Sequence, residues 1–184
     1  SEPPVDTSTS AALTQLGQTW PVAGRQVGIV VGPDFDPGTV ETLRAALGAA
    51  GVVPLVVGPH GGVISGVTMQ RSYAVVASVE LDAVVLTGAL PPAPDARASV
   101  DAKAGVATAG TVVDPRVVKL LDEVWRHAKA IGAVDDADDV LTAAGVPIEG
   151  TGVVVGKAGA VAAGLLEFLA AHRTWERFTP VSAG

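Results

Sequence analysis

Residues 26–57 read QVGIVVGPDFDPGTVETLRAALGAAGVVPLVV. Val27–Val31 is a β-branched run bounded by Gly and Pro, the pattern of a buried strand. Asp36-Pro37 then opens a helix, because Asp caps free amides and Pro is tolerated at the first helical position. Val40, Leu43, Leu47 and Ala50 recur on one face at helical spacing. Gly51 closes the helix as the residue that adopts the left-handed conformation. Val52–Val57 returns as a second strand, and Pro54 places that strand near a sheet edge or puts the Pro at its start. A strand–helix–strand unit of this kind gives parallel pairing with a right-handed crossover.

The same grammar repeats outward. Leu81–Thr87 reads as a central strand. Asp114-Pro115 repeats the cap-then-Pro signal, and Val117, Leu121, Val124 and Ala128 form the buried stripe of the helix that follows. Ala130–Val134 is a strand, Asp136–Ala144 a short helix closed by Gly145, and Gly152–Gly156 another strand. A last helix runs from Ala158 to about Arg177, with Val161, Leu165, Phe168 and Leu169 inward. Gly61–Met69 reads as a hairpin and Arg71–Val79 as a turn with a brief helix. Ala89–Val113 is a long surface excursion. The alternation predicts an α/β fold, a doubly wound and mostly parallel sheet with helices on both faces. Residues 1–24 are Pro-, Ser- and Thr-rich and read as a linker, with Trp20-Pro21 as its anchor. Residues 25–184 read as a single domain.

Composition narrows function. The chain has 184 residues, 48% hydrophobic but only 4% aromatic, so its core is built from Ala, Val, Leu and Ile. Its net charge of −7 argues against nucleic acid and against anionic membrane surfaces, both of which need clustered Lys and Arg. There is no cysteine, which removes disulfides, thiolate metal sites and Cys nucleophiles. The apolar runs are too short and interrupted to form a membrane-spanning helix, and no signal-peptide pattern opens the chain. A cytoplasmic location is expected.

Motifs that carry chemistry are sparse. Neither G-x-G-x-x-G nor a P-loop follows the first strand, so no phosphate cradle of those kinds is expected. Asp34 and Asp36 follow that strand, where hard oxygen ligands for a cation would sit. A solvated loop with a helix cap is the simpler reading. Asp135, Asp136, Asp138 and Asp139 cluster after Val134 and read as an acidic helix start facing the positive end of the dipole. His60, His127 and His172 show no metal-ligand spacing. The latter two fall near helix C-termini, where a partly cationic imidazole is favoured and capping or core hydrogen bonding is the default. His60 lies in a Pro-His-Gly-Gly turn. Ser65 and Ser78 lack a nucleophile-elbow context. No catalytic residue and no metal site are expected.

Several strings resemble the C-terminal domain of large-subunit haem catalases: Val27-Gly28-Ile29-Val30, Leu81-Asp82-Ala83-Val84-Val85, Asp114-Pro115-Arg116-Val117-Val118, Arg126–Gly132 and Ala170–Arg177. The last two are the most specific. The resemblance covers roughly Arg25 to Phe178. It implies a flavodoxin-like fold of the DJ-1/PfpI, class I glutamine amidotransferase-like superfamily.

The same resemblance implies a pocket that has lost its chemistry. Enzymes of that superfamily place a Cys at an elbow after a central strand and a Glu near the first helix. Those positions correspond to Asp135 and Gly38 here. Gly88-Ala89 stands where Gly-Gly is common. Gly38, Gly88 and Asp135 therefore outline a degenerate pocket. In the parent, haem and its ligands, including a Tyr, belong to the preceding core, and Tyr73 does not lie in that motif. No cofactor is expected in this domain. The implied partners are the catalase core and sister subunits of a homotetramer that meets oxidative stress by destroying hydrogen peroxide. The implied roles are stability, assembly, channel access, or a chaperone-like hold on unfolded clients. The alternatives are a stand-alone DJ-1-like glyoxalase or amidase, and a small-molecule sensor using the cleft beside Gly32 and Gly88.

Overall fold

The computed structural model describes residues 17–91 and 113–178. In chain order the elements are β1 (Gln26–Val31), α1 (Pro37–Ala49), β2 (Val53–Gly58), β3 (Gly62–Ile64), β4 (Val67–Met69), β5 (Arg71–Ser72) and β6 (Ala83–Thr87), then α2 (Pro115–Arg126), β7 (Ala130–Val134), α3 (Asp138–Ala143), β8 (Val153–Gly156) and α4 (Ala158–Ala170). The main sheet has the order β5-β2-β1-β6-β7-β8, and every pairing in it is parallel. The α/β, doubly wound, flavodoxin-like fold read from the sequence is therefore present. Strand order reverses between β1 and β6, and open parallel sheets collect ligands beyond the strand ends at such a switch point.

Two apolar layers hold the helices on. Val27, Ile29 and Val31 of β1 pack with Val40, Leu43 and Leu47 of α1 and Val161, Leu165 and Leu169 of α4. Val30, Val84, Leu86, Ile131 and Ala133 face the other way, onto Val117, Leu121 and Val124 of α2 and Val140 and Leu141 of α3. Alternate strand residues thus serve opposite faces, which explains why the strands read as continuous hydrophobic runs. One row crosses the sheet as Val56, Ile29, Val85, Gly132 and Val154. Gly132 is the thin point of that row. A Cβ there would stand 2.6 Å from Val161 and 3.1 Å from Leu165, so its absence lets α4 lie close on β7.

Pro54 is the second residue of β2, and β5 engages β2 only at Val57 and Gly58. The amide of Val56 is met instead by the Gln70 side chain at 2.7 Å, and Gln70 N–H donates back to the Val56 carbonyl at 2.9 Å. A missing donor at Pro54 is therefore tolerated. β3 and β4 form the expected hairpin, turning through Ser65 and Gly66, both at positive φ.

Three readings need correction. First, the last helix does not reach Arg177. It ends at Ala170, His172 turns left-handed at φ 68°, and a 3-10 turn follows at Trp175–Phe178. The break lets Thr174 donate both its amide and its hydroxyl to the Ala128 carbonyl, at 2.8 and 2.9 Å. It also lets Arg177 lie over the Trp125 ring at 3.8 Å and donate to the carbonyls of Thr151, Trp125 and Lys129. A straight helix would carry these side chains into solvent. Second, Arg71–Ser72 is a short edge strand rather than part of a turn. Third, the excursion begins inward, because Leu90 is buried and its carbonyl accepts from Asp114 N–H at 2.9 Å. Most of that excursion and the first sixteen residues of the linker lie outside the described residues.

Candidate functional site

The carboxyl ends of β1, β6 and β7 enclose a cavity of about 190 Å³. Pro33, Asp34, Phe35, Asp36 and Thr39 come from the β1–α1 connection, Thr87, Gly88, Ala89 and Pro91 from the end of β6, and Val134, Asp135 and Asp136 from the end of β7. Gly32 sets the spacing of the first two groups. A Cβ on it would fall 2.1 Å from the Ala89 carbonyl oxygen, so the two connections touch only because that side chain is missing.

Asp135 stands at the junction of β7 and the following 3-10 turn with φ 53°. This is the backbone of an elbow, a strained residue thrust up between a strand and a helix. Asp tolerates the left-handed region better than most side chains, because its short polar group bonds locally. Its carboxylate meets the Lys157 ammonium at 2.6 Å, and the hydrogen bond and charge of Asp135 hold that ammonium above its ordinary value. Gly88, at φ 64°, supplies the turn after β6.

Of the three positions outlined from the sequence, Asp135 and Gly88 line the cavity. Gly38 is not among its lining residues. It is the second residue of α1, and its amide donates to Asp36 at 3.2 Å. Asp36 caps α1, accepting also from Thr39 N–H at 2.8 Å and Thr39 Oγ1 at 2.9 Å. The Thr39 and Gly38 bonds hold its carboxyl below the usual carboxylate value.

The site is poor in reactive groups. The Thr87 hydroxyl is buried and donates to the Val30 carbonyl at 3.3 Å. Thr39 Oγ1 is occupied by Asp36. No His lines the cavity. Asp138 and Asp139 lie in the first turn of α3, as an acidic helix start should. Among the described residues no three His, Asp or Glu side chains are grouped to hold a metal ion.

The histidines lie elsewhere. His60 is exposed, with Nδ1 2.8 Å from the Gly61 carbonyl. His127 is the exposed C-cap residue of α2. His172 receives a hydrogen bond from Arg25 at 2.8 Å, and burial together with Arg173 and Arg25 holds its ring below the ordinary value. His172 makes the hydrogen bond expected of it by default, and its Nδ1 is unprotonated there because a guanidinium has donors only. Tyr73 is buried, its hydroxyl donates to the Val31 carbonyl, and burial pushes its phenol far above the ordinary value.

The pattern of the C-terminal domain found in long catalases matches residues 23–179. The chain belongs to that family. It is also 28% identical over 178 residues to Catalase-2 of Bacillus subtilis (strain 168), a match that covers 92% of this chain and 23% of that relative. The chain thus spans about a quarter of the curated relative's length. In this catalase C-terminal domain Asp135 stands at positive φ between β7 and the 3-10 turn. The Lys157 partner was not legible in the sequence, where it lies 22 residues downstream of Asp135.

Proposed function

We propose that this chain is the non-catalytic accessory domain of a large-subunit catalase and contributes to the stability and assembly of its parent. The parent reaction converts hydrogen peroxide to water and oxygen at a haem held in a separate core. The observation that carries the reading is the filled elbow. In the superfamily that the sequence resembles, the position that would bear a nucleophile corresponds to Asp135, which here pairs with Lys157. The partners in this reading are the catalase core and sister subunits of a homotetramer, in the cytoplasm. Val63, Val75 and Val79 are strongly exposed and available to unfolded clients. Single exposed aliphatics are ordinary on soluble proteins, so stability and assembly take precedence over a chaperone-like role.

The test compares the full-length parent with a version ending before Val22. The expected result is an equal rate of peroxide destruction per haem, with faster heat inactivation and weaker tetramer assembly in the shortened protein. An unchanged heat half-life and an unchanged assembly state would refute the reading.

A second reading rests on the cavity itself, a partly open hollow with Phe35 and two prolines beside its carboxylates. It predicts that some small molecule raises the unfolding temperature of the isolated chain, and that Gly88→Val abolishes the rise.

A further inference from the structure

We propose that His172 is a proton-operated clasp. Its neutral ring holds the segment Gly17–Pro21 against the carboxyl end of α4, and protonation of the ring releases that segment. The inference stands apart from the accessory-domain reading, because it uses only contacts at the opposite end of the sheet from the cavity.

Beyond Pro21 the chain is fixed, with Val22 packed on the core and the Arg25 carbonyl accepting from Val53 N–H at 2.8 Å, whereas Gly17–Pro21 is tied down at few points. Trp20 N–H donates to the Ala170 carbonyl, one of the last free acceptors of α4, at 2.7 Å. The Trp20 and His172 rings meet with centroids 6.5 Å apart and planes tilted by 57°. Arg25 joins both parts. Its Nε donates to the Pro21 carbonyl at 3.1 Å and its Nη1 to His172 Nδ1 at 2.8 Å. Gly24 N–H donates to the Gly51 carbonyl at 2.9 Å. Trp20 keeps 41% of its surface in solvent, so its burial alone anchors the segment weakly.

The contact between Arg25 and His172 has one permitted protonation state. A guanidinium has donors only, so Nδ1 must be the acceptor and must lack a proton. A proton on Nδ1 sets donor against donor and cation against cation at 2.8 Å, and the contact must open. The surroundings do not compensate. Arg173 follows directly in the chain and donates to the His172 carbonyl at 2.8 Å. Lys129, just before β7, is a further basic group in the field of Arg173. Asp82, just before β6, is the carboxylate that acts on the ring. It is already engaged by Arg25 at 3.5 Å, by Arg173 at 3.9 Å and by Gln26 N–H at 3.0 Å. The ring also starts from a left-handed backbone at φ 68°, a conformation held by its contacts, so losing Arg25 removes part of what holds it.

Amide hydrogen exchange on the 184-residue chain tests this, read as protection factors at about pH 8 and about pH 5, the range in which imidazoles titrate. The wild type is expected to lose Trp20 amide protection several-fold at the lower pH while the β1 amides stay protected. His172→Asn keeps an acceptor, tolerates the left-handed backbone and does not titrate, so its Trp20 protection should be the same at both values. Trp20 protection that is independent of pH in the wild type would overturn the proposal. So would an equal acid loss in His172→Asn. A parallel loss at the β1 amides would replace the clasp with global acid unfolding. Should His172→Asn not fold, the His172 ring signal followed by NMR decides the matter, because its titration midpoint must coincide with the loss of Trp20 protection.

Discussion

Two aspartates open helices in the same way and differ in what surrounds them. Asp36 caps α1 from an exposed position. Asp114 caps α2 with no exposed surface, accepting from Arg116 N–H at 2.9 Å while the same residue's guanidinium closes on it at 3.1 and 3.0 Å. Removing the second carboxylate takes away the acceptor of the Arg116 amide and one partner of its guanidinium. Asp114→Ala should therefore cost about 2 kcal/mol, the combined loss of a cap and of a partly buried ion pair. Asp36→Ala should cost clearly less, since water replaces the exposed carboxylate. Urea unfolding of the two variants checks the order. Asp135→Asn belongs with the weaker group. Its partner Lys157 has 89% of its side chain in solvent, and exposed pairs of this kind contribute little.

At the scale of elements, the sheet depends on side chains that are missing. Gly132→Ala would push a methyl against Val161, Leu165 and Val85 between two buried layers, and overpacking of this kind costs about 1–3 kcal/mol. Gly32→Ala would drive a methyl into the backbone oxygen of Ala89, which has no rotamer to yield. It should destabilise more than Gly132→Ala, and a lower denaturant midpoint for Gly32→Ala is the check. Neither glycine announces this role in the sequence. Most strands and helices were legible because their patterns are local: β-branched runs for β1 and β6, a short apolar run for β7, an Asp-Pro start and a three-to-four spacing for α1 and α2. The end of α4 was not legible, because it is decided at a distance. His172 turns toward Arg25, 147 residues away, and Thr174 toward Ala128, 46 residues away. Helical spacing continues through Arg177, and only those partners break it. The cavity was half legible. Strand ends place Gly88 and Asp135 together, but α1 turns Gly38 into the Asp36 cap rather than into the cavity lining.

For the whole molecule, His172 and Asp36 tie stability to protons in two separate windows on the acid side. The unfolded chain binds a proton at His172 near the ordinary value of 6.5, while the folded chain binds it only at lower pH, because burial, Arg173 and Arg25 oppose it. Between those two values the unfolded state carries more protons, so stability rises with pH. His172 therefore contributes fully above 6.5 and its contribution is lost as the pH falls through the folded value. Asp36 acts lower down. Its folded carboxyl lies below the ordinary 3.8, so its contribution persists above 3.8 and disappears on further acidification. The urea midpoint of the wild type should hold level from about pH 8 to about pH 6.5 and then fall toward about pH 5. His172→Asn should remove that fall and leave the deeper acid loss intact. The net charge of −7 vanishes near pH 4.8, where self-association obscures unfolding, so the comparison belongs above that point and at low protein concentration. An equal slope in both proteins would assign the fall to other groups and remove His172 from the pH response of the fold.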